Sequence, residues 1–166
     1  IVPLANENRV ITKLGMMLVR QTKNLGVKSL LNLIGYQKID STAISFGVAP
    51  RINASGRLDT VESALKVLIS DNVQEIQMAV TTLNELNKVR QKLCQEIFEQ
   101  ADEMVQKDGN KNPAIILANP DWHVGIIGIV ASKMVEKYYK PTFLMTYDKE
   151  KGQYRCSARS IEGVPL

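Results

Sequence analysis

The sequence predicts a mixed α/β chain, mostly helical, and three observations carry that prediction. Through most of residues 5–107 the apolar side chains recur at three- and four-residue steps, the period of an amphipathic helix. Asp108-Gly109-Asn110-Lys111-Asn112-Pro113 then stops the pattern with turn-forming residues. From Ala114 the pattern becomes strand, loop, helix, strand, turn, strand. With 166 residues, 45% of them hydrophobic and 23% charged, the chain can bury a real core as one ordinary domain or two small ones.

Within residues 5–36, Val10, Leu14, Met17 and Leu18 mark one helix, and Leu30, Leu31 and Ile34 a second. Asn24-Leu25-Gly26 reads as a helix end with Gly at the C′ position, and Gly35 as the close of the second helix. Asp40-Ser41-Thr42 is placed to cap a short helix over residues 43–46. Residues 47–58 hold two Gly, one Pro, two Arg and an Asn with almost no periodicity, which reads as a loop or a broken helix start. Asp59 and Glu62 have capping-box spacing ahead of a helix with Val61, Ala64, Leu65 and Leu68 on one face. Ser70-Asp71-Asn72 interrupts. Leu86, Val89, Leu93, Ile97, Ala101 and Met104 then hold one stripe of a long helix, over roughly five turns. Such a helix before a Gly/Asn/Pro break fits a connector between two lobes; it also fits an ordinary amphipathic helix on one core.

After the break, Ala114-Ile115-Ile116-Leu117-Ala118 is a strand. The next helix turns Ile126, Ile127, Val130, Met134, Val135 and Tyr138 inward, and Lys140-Pro141 stops it. Residues 143–147 form a strand, residues 148–152 a hairpin loop with Gly late, and residues 153–156 the partner strand. Between the first strand and the helix lies Asp121-Trp122-His123-Val124-Gly125-Ile126-Ile127-Gly128, with the only Trp and the only His of the chain. Unpaired N–H groups at a helix N-terminus favour anions, and Gly125 and Gly128 let a ligand or a backbone come close. A buried Trp, a loop His and two packing glycines account for the same residues.

Composition narrows the function. The charge of +4, from 21 basic and 17 acidic residues, permits a polyanionic partner without demanding one. An aromatic content of 5% argues against base stacking as the main binding mode. Cys94 and Cys156 lack metal spacing and suggest no disulfide framework, and no apolar stretch approaches a membrane span. A reducing cytoplasm without membrane contact is the expected setting. The start at Ile1-Val2-Pro3-Leu4, with no Met, and the end at Gly163-Val164-Pro165-Leu166 read as those of a piece of a larger protein.

The chemical inventory is one of donors without a catalyst. Arg51 and Arg57 offer forked donors suited to phosphate oxygens, and Asn53 adds a donor and an acceptor. Ser157, Arg159 and Ser160 form a second cluster, at a strand end, that can hold one phosphate or carboxylate. A solvated connection, with arginines paired to local acids, and a surface turn are the plainer readings of these two stretches. His123 can bind phosphate, act in acid/base chemistry or cap the helix. One His and scattered acids make no metal cage, and there is no P-loop or nucleophile elbow.

Three ordered motifs resemble the RecJ single-strand-specific DNA exonucleases of the DHH phosphoesterase superfamily. They are Ala49-Pro50-Arg51-Ile52-Asn53-Ala54-Ser55-Gly56-Arg57-Leu58, Trp122-His123-Val124-Gly125-Ile126-Ile127-Gly128-Ile129-Val130-Ala131-Ser132, and Ser157-Ala158-Arg159-Ser160. Val2-Pro3-Leu4-Ala5-Asn6-Glu7-Asn8-Arg9 is similar to the family's segment after its last metal-binding motif. The resemblance implies a two-lobed, 5′-to-3′ exonuclease of recombination and repair. Residues 1–80 would be the helical tail of a DHH lobe, 81–108 a connector helix, and 109–166 a small α/β DHH-associated lobe. It implies Mn²⁺ or Mg²⁺ in the full-length enzyme, on ligands that precede Ile1, and none bound by this piece alone. Arg51, Asn53, Arg57 and His123 would line a DNA channel, Gly125 and Gly128 would shape the helix N-terminus, and Ser157, Arg159 and Ser160 would hold a phosphate, at the 5′ end of the strand. Cys156 stands where many relatives have Gly and would narrow that pocket.

The resulting expectation is an inactive fragment of a metal-dependent exonuclease that grips single-stranded DNA. Two other functions fit the same donors. One is a non-catalytic module for single-stranded nucleic acid. The other is a DHH phosphodiesterase acting on short oligonucleotides or cyclic dinucleotides.

Overall fold

The computed structural model describes residues 2–149 and 151–166; Glu150, in the expected hairpin loop, lies outside the described residues, as does Ile1. The architecture is mixed α/β and helix-rich. The chain divides into two compact units, Ile1–Lys88 and Val89–Leu166.

The first unit is helical. Its elements are α1 (Asn6–Val19), α2 (Leu25–Ile34), a π-helical segment (Ala43–Val48), α3 (Ala49–Leu58), α4 (Glu62–Ile69) and the N-terminal part of α5 (Val73–Lys107). Leu30, Val67, Ile76, Val80 and Leu83 form its core, with Val48 and Ala64 beside them. No residue of α1 is buried, and Ile11 and Leu18 are about two-thirds exposed, at 67% and 70%.

Several local expectations are corrected here. Asn24 does not end a helix. Its side chain accepts from the Val27 N–H at 2.8 Å and so starts α2, while α1 stops at Val19. Gly26 is inside α2 because a Cβ there would lie 1.7 Å from the Val67 carbonyl oxygen of α4. Gly35, at φ 66°, closes α2 as expected. Asp40 caps the next segment through Ala43 N–H at 3.0 Å, but that segment runs to Val48 as a π-helix. It passes directly into α3, so residues 49–58 are helix rather than loop. Pro50 misleads in the sequence because it stands in the first turn of α3, where its fixed φ suits a helix and the π-helical segment before it leads in. Asp59 and Glu62 form no capping box: Asp59, in extended conformation, ends α3, and Val61 precedes α4.

Asn72 starts α5 by accepting from the Gln74 and Glu75 N–H groups at 2.9 and 3.2 Å, and the helix then runs for 35 residues. Its buried line is Ile76, Val80, Leu83, Asn87, Cys94, Ile97, Ala101 and Val105. Of the expected stripe, Ile97 and Ala101 belong to it, and Val89 is exposed.

The second unit contains the C-terminal part of α5, strand β1 (Ile115–Ala118), α6 (Val124–Tyr138), β2 (Thr142–Asp148) and β3 (Gln153–Arg159). The sheet order is β1-β2-β3, with β1 parallel and β3 antiparallel to β2. α6 is the crossover that a parallel pair requires. Its Ile126, Ile127, Val130, Ala131 and Met134 are buried, as are Ile115, Thr142, Leu144 and Thr146 of the sheet. Strand alternation sets Ile116, Phe143, Met145, Tyr147, Tyr154 and Cys156 on the opposite face, where Ile116 and Tyr154 are exposed. β3 continues three residues beyond the expected strand, because its ladder to β2 holds as far as the Thr142–Arg159 pair.

α5 is tied to α6 by polar contacts. The Asp102 carboxylate accepts from the Lys137 ammonium and, at 2.6 Å, from the Tyr138 hydroxyl. Lys137 and then Tyr138 hold the Asp102 carboxyl below its ordinary pKa, and burial opposes them.

Candidate nucleic-acid interface

The expected donors fall into two clusters, one in each unit. In the first unit they are carried by α3. Asn53 and Arg57 are four residues apart on a helix and share one face, while Arg51 is turned away from both. Arg51 is half-buried. Its Nε donates to Asn84 Oδ1 at 3.0 Å and its Nη1 to the Gly47 carbonyl at 2.7 Å. It pairs with an amide and a carbonyl, not with local acids, and among the described residues its Nη2 makes no hydrogen bond. Asn53 and Arg57 are exposed. With Gly56, Val61 and Leu65 they line an open groove of about 630 Å³ along α3 and α4.

In the second unit the cluster forms where the β1–α6 loop and β3 meet α6. The loop is pinned at several points. The Asn119 N–H donates to Met145 O at 3.0 Å, and the Asp121 N–H to Asn119 Oδ1 at 2.9 Å. Trp122 is buried, at 4% exposure, and its Nε1–H donates to Gln100 Oε1 at 2.8 Å. The Thr146 hydroxyl donates to Trp122 O at 2.6 Å. A fixed loop fixes His123, which is the N-cap of α6: its Nδ1 accepts from the Gly125 N–H at 3.1 Å. In the neutral ring the proton is therefore assigned to Nε2, which becomes a donor for a ligand oxygen.

Ser157 and Arg159 alternate onto the α6 face of β3, and both lie beside Gly128. Gly128 is five positions, about 7.5 Å of helix rise, beyond His123. Cys156 alternates onto the other strand face and also lines the opening beside Ser157. The Ser160 hydroxyl donates to Val164 O at 2.6 Å and closes the turn after β3.

Charge distinguishes the two openings at the start of α6. The one containing His123, of about 570 Å³, also carries Glu96, Asp121 and Asp148 against the single Lys149. The other, about 450 Å³, is lined by Val124, Ile127, Arg155 and Ser157 and has no acidic lining residue. An anion is favoured in the second. For a metal ion the result is negative: among the described residues no group of three or more His, Cys, Asp or Glu is placed to hold one. Among the described residues no helix is long and apolar enough to cross a membrane.

Sequence reasoning found the residue types of both clusters but missed Gln100, Thr146 and Asn84, which hold them. Each is a polar residue in an ordinary stretch, and only its tertiary partner distinguishes it.

The fold and the site together define a helix-rich α/β protein with two clusters of hydrogen-bond donors and, among its described residues, no metal cage. No protein-family model matches the chain. It is 39% identical, over its whole length, to 21% of the single-stranded-DNA-specific exonuclease RecJ of Bacillus subtilis. It is 31% identical to 30% of the Escherichia coli RecJ, again over its whole length. The crystal structure of RecJ from Thermus thermophilus in complex with Mn²⁺ matches 98% of this chain with a TM-score of 0.86 and 31% identity, over 24% of that chain. A Mg²⁺ complex of the Thermus protein matches with a TM-score of 0.84 at the same identity, over 25% of that chain. Over its whole length the chain is similar to these RecJ exonucleases, and it spans between about a fifth and a third of their length.

Proposed function

We propose that this chain is the strand-holding part of a 5′-to-3′ single-stranded-DNA exonuclease acting in recombination and repair, and that it supplies phosphate contacts rather than the hydrolytic centre. The observation that carries this reading is the Ser157/Arg159 pair against α6, beside an opening without acidic lining residues. A guanidinium and a hydroxyl there suit a terminal 5′-phosphate, whose extra charge strengthens each hydrogen bond. His123 Nε2 extends the contact along the strand, while the Gly125 N–H and the Ser160 hydroxyl, donated to His123 Nδ1 and Val164 O, hold the loop and the turn that flank it. Asn53, Arg57 and the outward donor of Arg51 form a further set of phosphate contacts.

The Thermus relatives are described in complex with Mn²⁺ and with Mg²⁺. Among the described residues no group of three or more His, Cys, Asp or Glu fits such an ion, so no hydrolytic step is assigned to them. In the complete enzyme the metals would be held by other residues. Residues 1–80 are read as the end of a DHH lobe, 81–108 as a connector and 109–166 as part of a DHH-associated lobe, a reading that the unbroken 35-residue α5 supports. A cytoplasmic setting agrees with two unpaired cysteines.

The test is a titration of 3′-labelled oligothymidylate carrying either a 5′-phosphate or a 5′-hydroxyl. The expected result is weak binding that prefers the phosphate and falls steeply with salt. Equal affinity for the two strands removes the terminal-phosphate role. Hydrolysis of the strand by the purified chain with Mn²⁺ would overturn the assignment of catalysis to other residues. Preference for cyclic dinucleotides over long strands would move the substrate to a short phosphodiester.

A further inference from the structure

We infer that Gly128 is a positioning residue for the terminal-phosphate cluster: its missing side chain is what lets the Ser157 hydroxyl and the Arg159 guanidinium lie together against α6. The inference rests on the phosphate reading above. A Cβ on Gly128 would lie 3.3 Å from Ser157 Oγ, 3.7 Å from Ser157 Cβ and 3.6 Å from Arg159 Nη2. The first distance is tighter than ordinary van der Waals contact, so a neighbour would have to give way by a few tenths of an ångström.

The neighbours can yield without loss of the fold, and that makes the site sensitive. Ser157 is held at its backbone, paired with the fully buried Leu144 of β2, so its hydroxyl can move only by changing rotamer. Arg159 Nη2 is the end of a flexible side chain, and its Nη1 donates to Ala158 O at 2.7 Å. An added methyl group therefore displaces the Ser157 hydroxyl, fills the space up to Arg159 Nη2 and leaves the sheet in place. A bidentate site depends on where its donors stand relative to each other, so small displacements weaken it.

Helix energetics point the same way. Gly128 is in the interior of the 15-residue α6, where alanine is the better helix former. Gly15 of α1 gives the contrast, since a Cβ there meets nothing within 4 Å. The space at Gly128 is bordered by the two side chains that suit a phosphate.

The experiment compares wild type, Gly128→Ala, Arg159→Ala and the control Gly15→Ala on the two 3′-labelled strands, with a thermal melt of each. For Gly128→Ala the preference for the 5′-phosphate is expected to fall about tenfold, most of the loss being on the phosphorylated strand, with the melting temperature unchanged or raised. Gly15→Ala should keep the full preference. Full preference in Gly128→Ala, with loss in Arg159→Ala, overturns the role of Gly128 and leaves the phosphate reading standing. A melt lowered by many degrees, with both strands bound equally poorly, makes Gly128 a packing residue and also overturns the inference. No preference in wild type overturns both readings together.

Discussion

The two donor clusters are built on different principles. On α3 the donors belong to one helix, and spacing alone brings Asn53 and Arg57 together. At α6 the donors come from a helix cap and from a strand more than thirty residues later, and packing brings them together. Each unit also has a glycine at a close approach, of a different kind. The Cβ missing from Gly26 would strike backbone, 1.7 Å from Val67 O, whereas the one missing from Gly128 would meet the movable ends of two polar side chains. The first glycine allows two helices to pack; the second leaves room for a site. A cluster on one helix can lose a member and keep the rest, while a cluster assembled from separate elements depends on the geometry between them.

The largest effect that sharpens this contrast is Gly26→Ala. Because backbone cannot yield as a side-chain end can, the first unit should lose about 3 kcal/mol or more of stability, read by urea or thermal unfolding. A loss below 1 kcal/mol, on the order of an ordinary surface change, would erase the distinction between the two glycines. Next is Arg51→Ala. Removal of two hydrogen bonds from a half-buried guanidinium should lower stability by about 1–2 kcal/mol, while the preference for a 5′-phosphate stays unchanged. A large fall in DNA affinity with unaltered stability would make the outward phosphate contact, and not the two internal bonds, the main role of Arg51.

Arg57→Ala is expected to act more weakly and without regard to the 5′ end. Affinity for both strands should drop a few-fold, and the slope of log K against log salt should become shallower by about 0.7, the value for one phosphate contact on a single strand. An unchanged slope removes Arg57 from the strand.

The smallest effect is that of Asp102→Asn, which tests the α5–α6 tie in the second unit. The folded Asp102 carboxyl titrates below its ordinary value, so the contact stabilises above the unfolded pKa of about 3.9 and is lost as pH falls through the lower folded value. Lys137 is held above its ordinary pKa by Asp102, and Tyr138 above its own chiefly by burial, so the alkaline limit lies above about pH 10. Wild type should melt above the variant across neutral pH, and the difference should close as pH falls through the lowered folded value of Asp102. A constant difference down to pH 2 would assign the effect to packing rather than charge.

Much of the second unit was legible in the sequence because its signals are local. A short apolar run before a polar loop, a capping residue and a helical period are each readable within about a dozen residues, and β1, His123 and α6 stand where they were expected. The α3 region was misread for the same reason. Gly47, Pro50 and Gly56 are breakers by composition, yet Pro50 stands in the first turn and Gly47 packs inside the π-helical segment, where a Cβ would meet Ile34 Cδ1 at 2.8 Å. Val89 was misplaced on α5 because one apolar stripe cannot say which of two neighbouring helical faces a core will occupy.

The sequence by itself determined the residue chemistry: forked and hydroxyl donors, one histidine, two cysteines without metal spacing, and a change of period near residue 110. Those follow from side-chain type and from spacing, which are written in the chain. Only the tertiary structure decided which donors meet. Arg51 is held by Asn84, thirty-three residues away, and Ser157 and Arg159 come to Gly128 because β3 pairs with β2 under α6. Contacts between residues so far apart depend on burial and register, which no local pattern encodes.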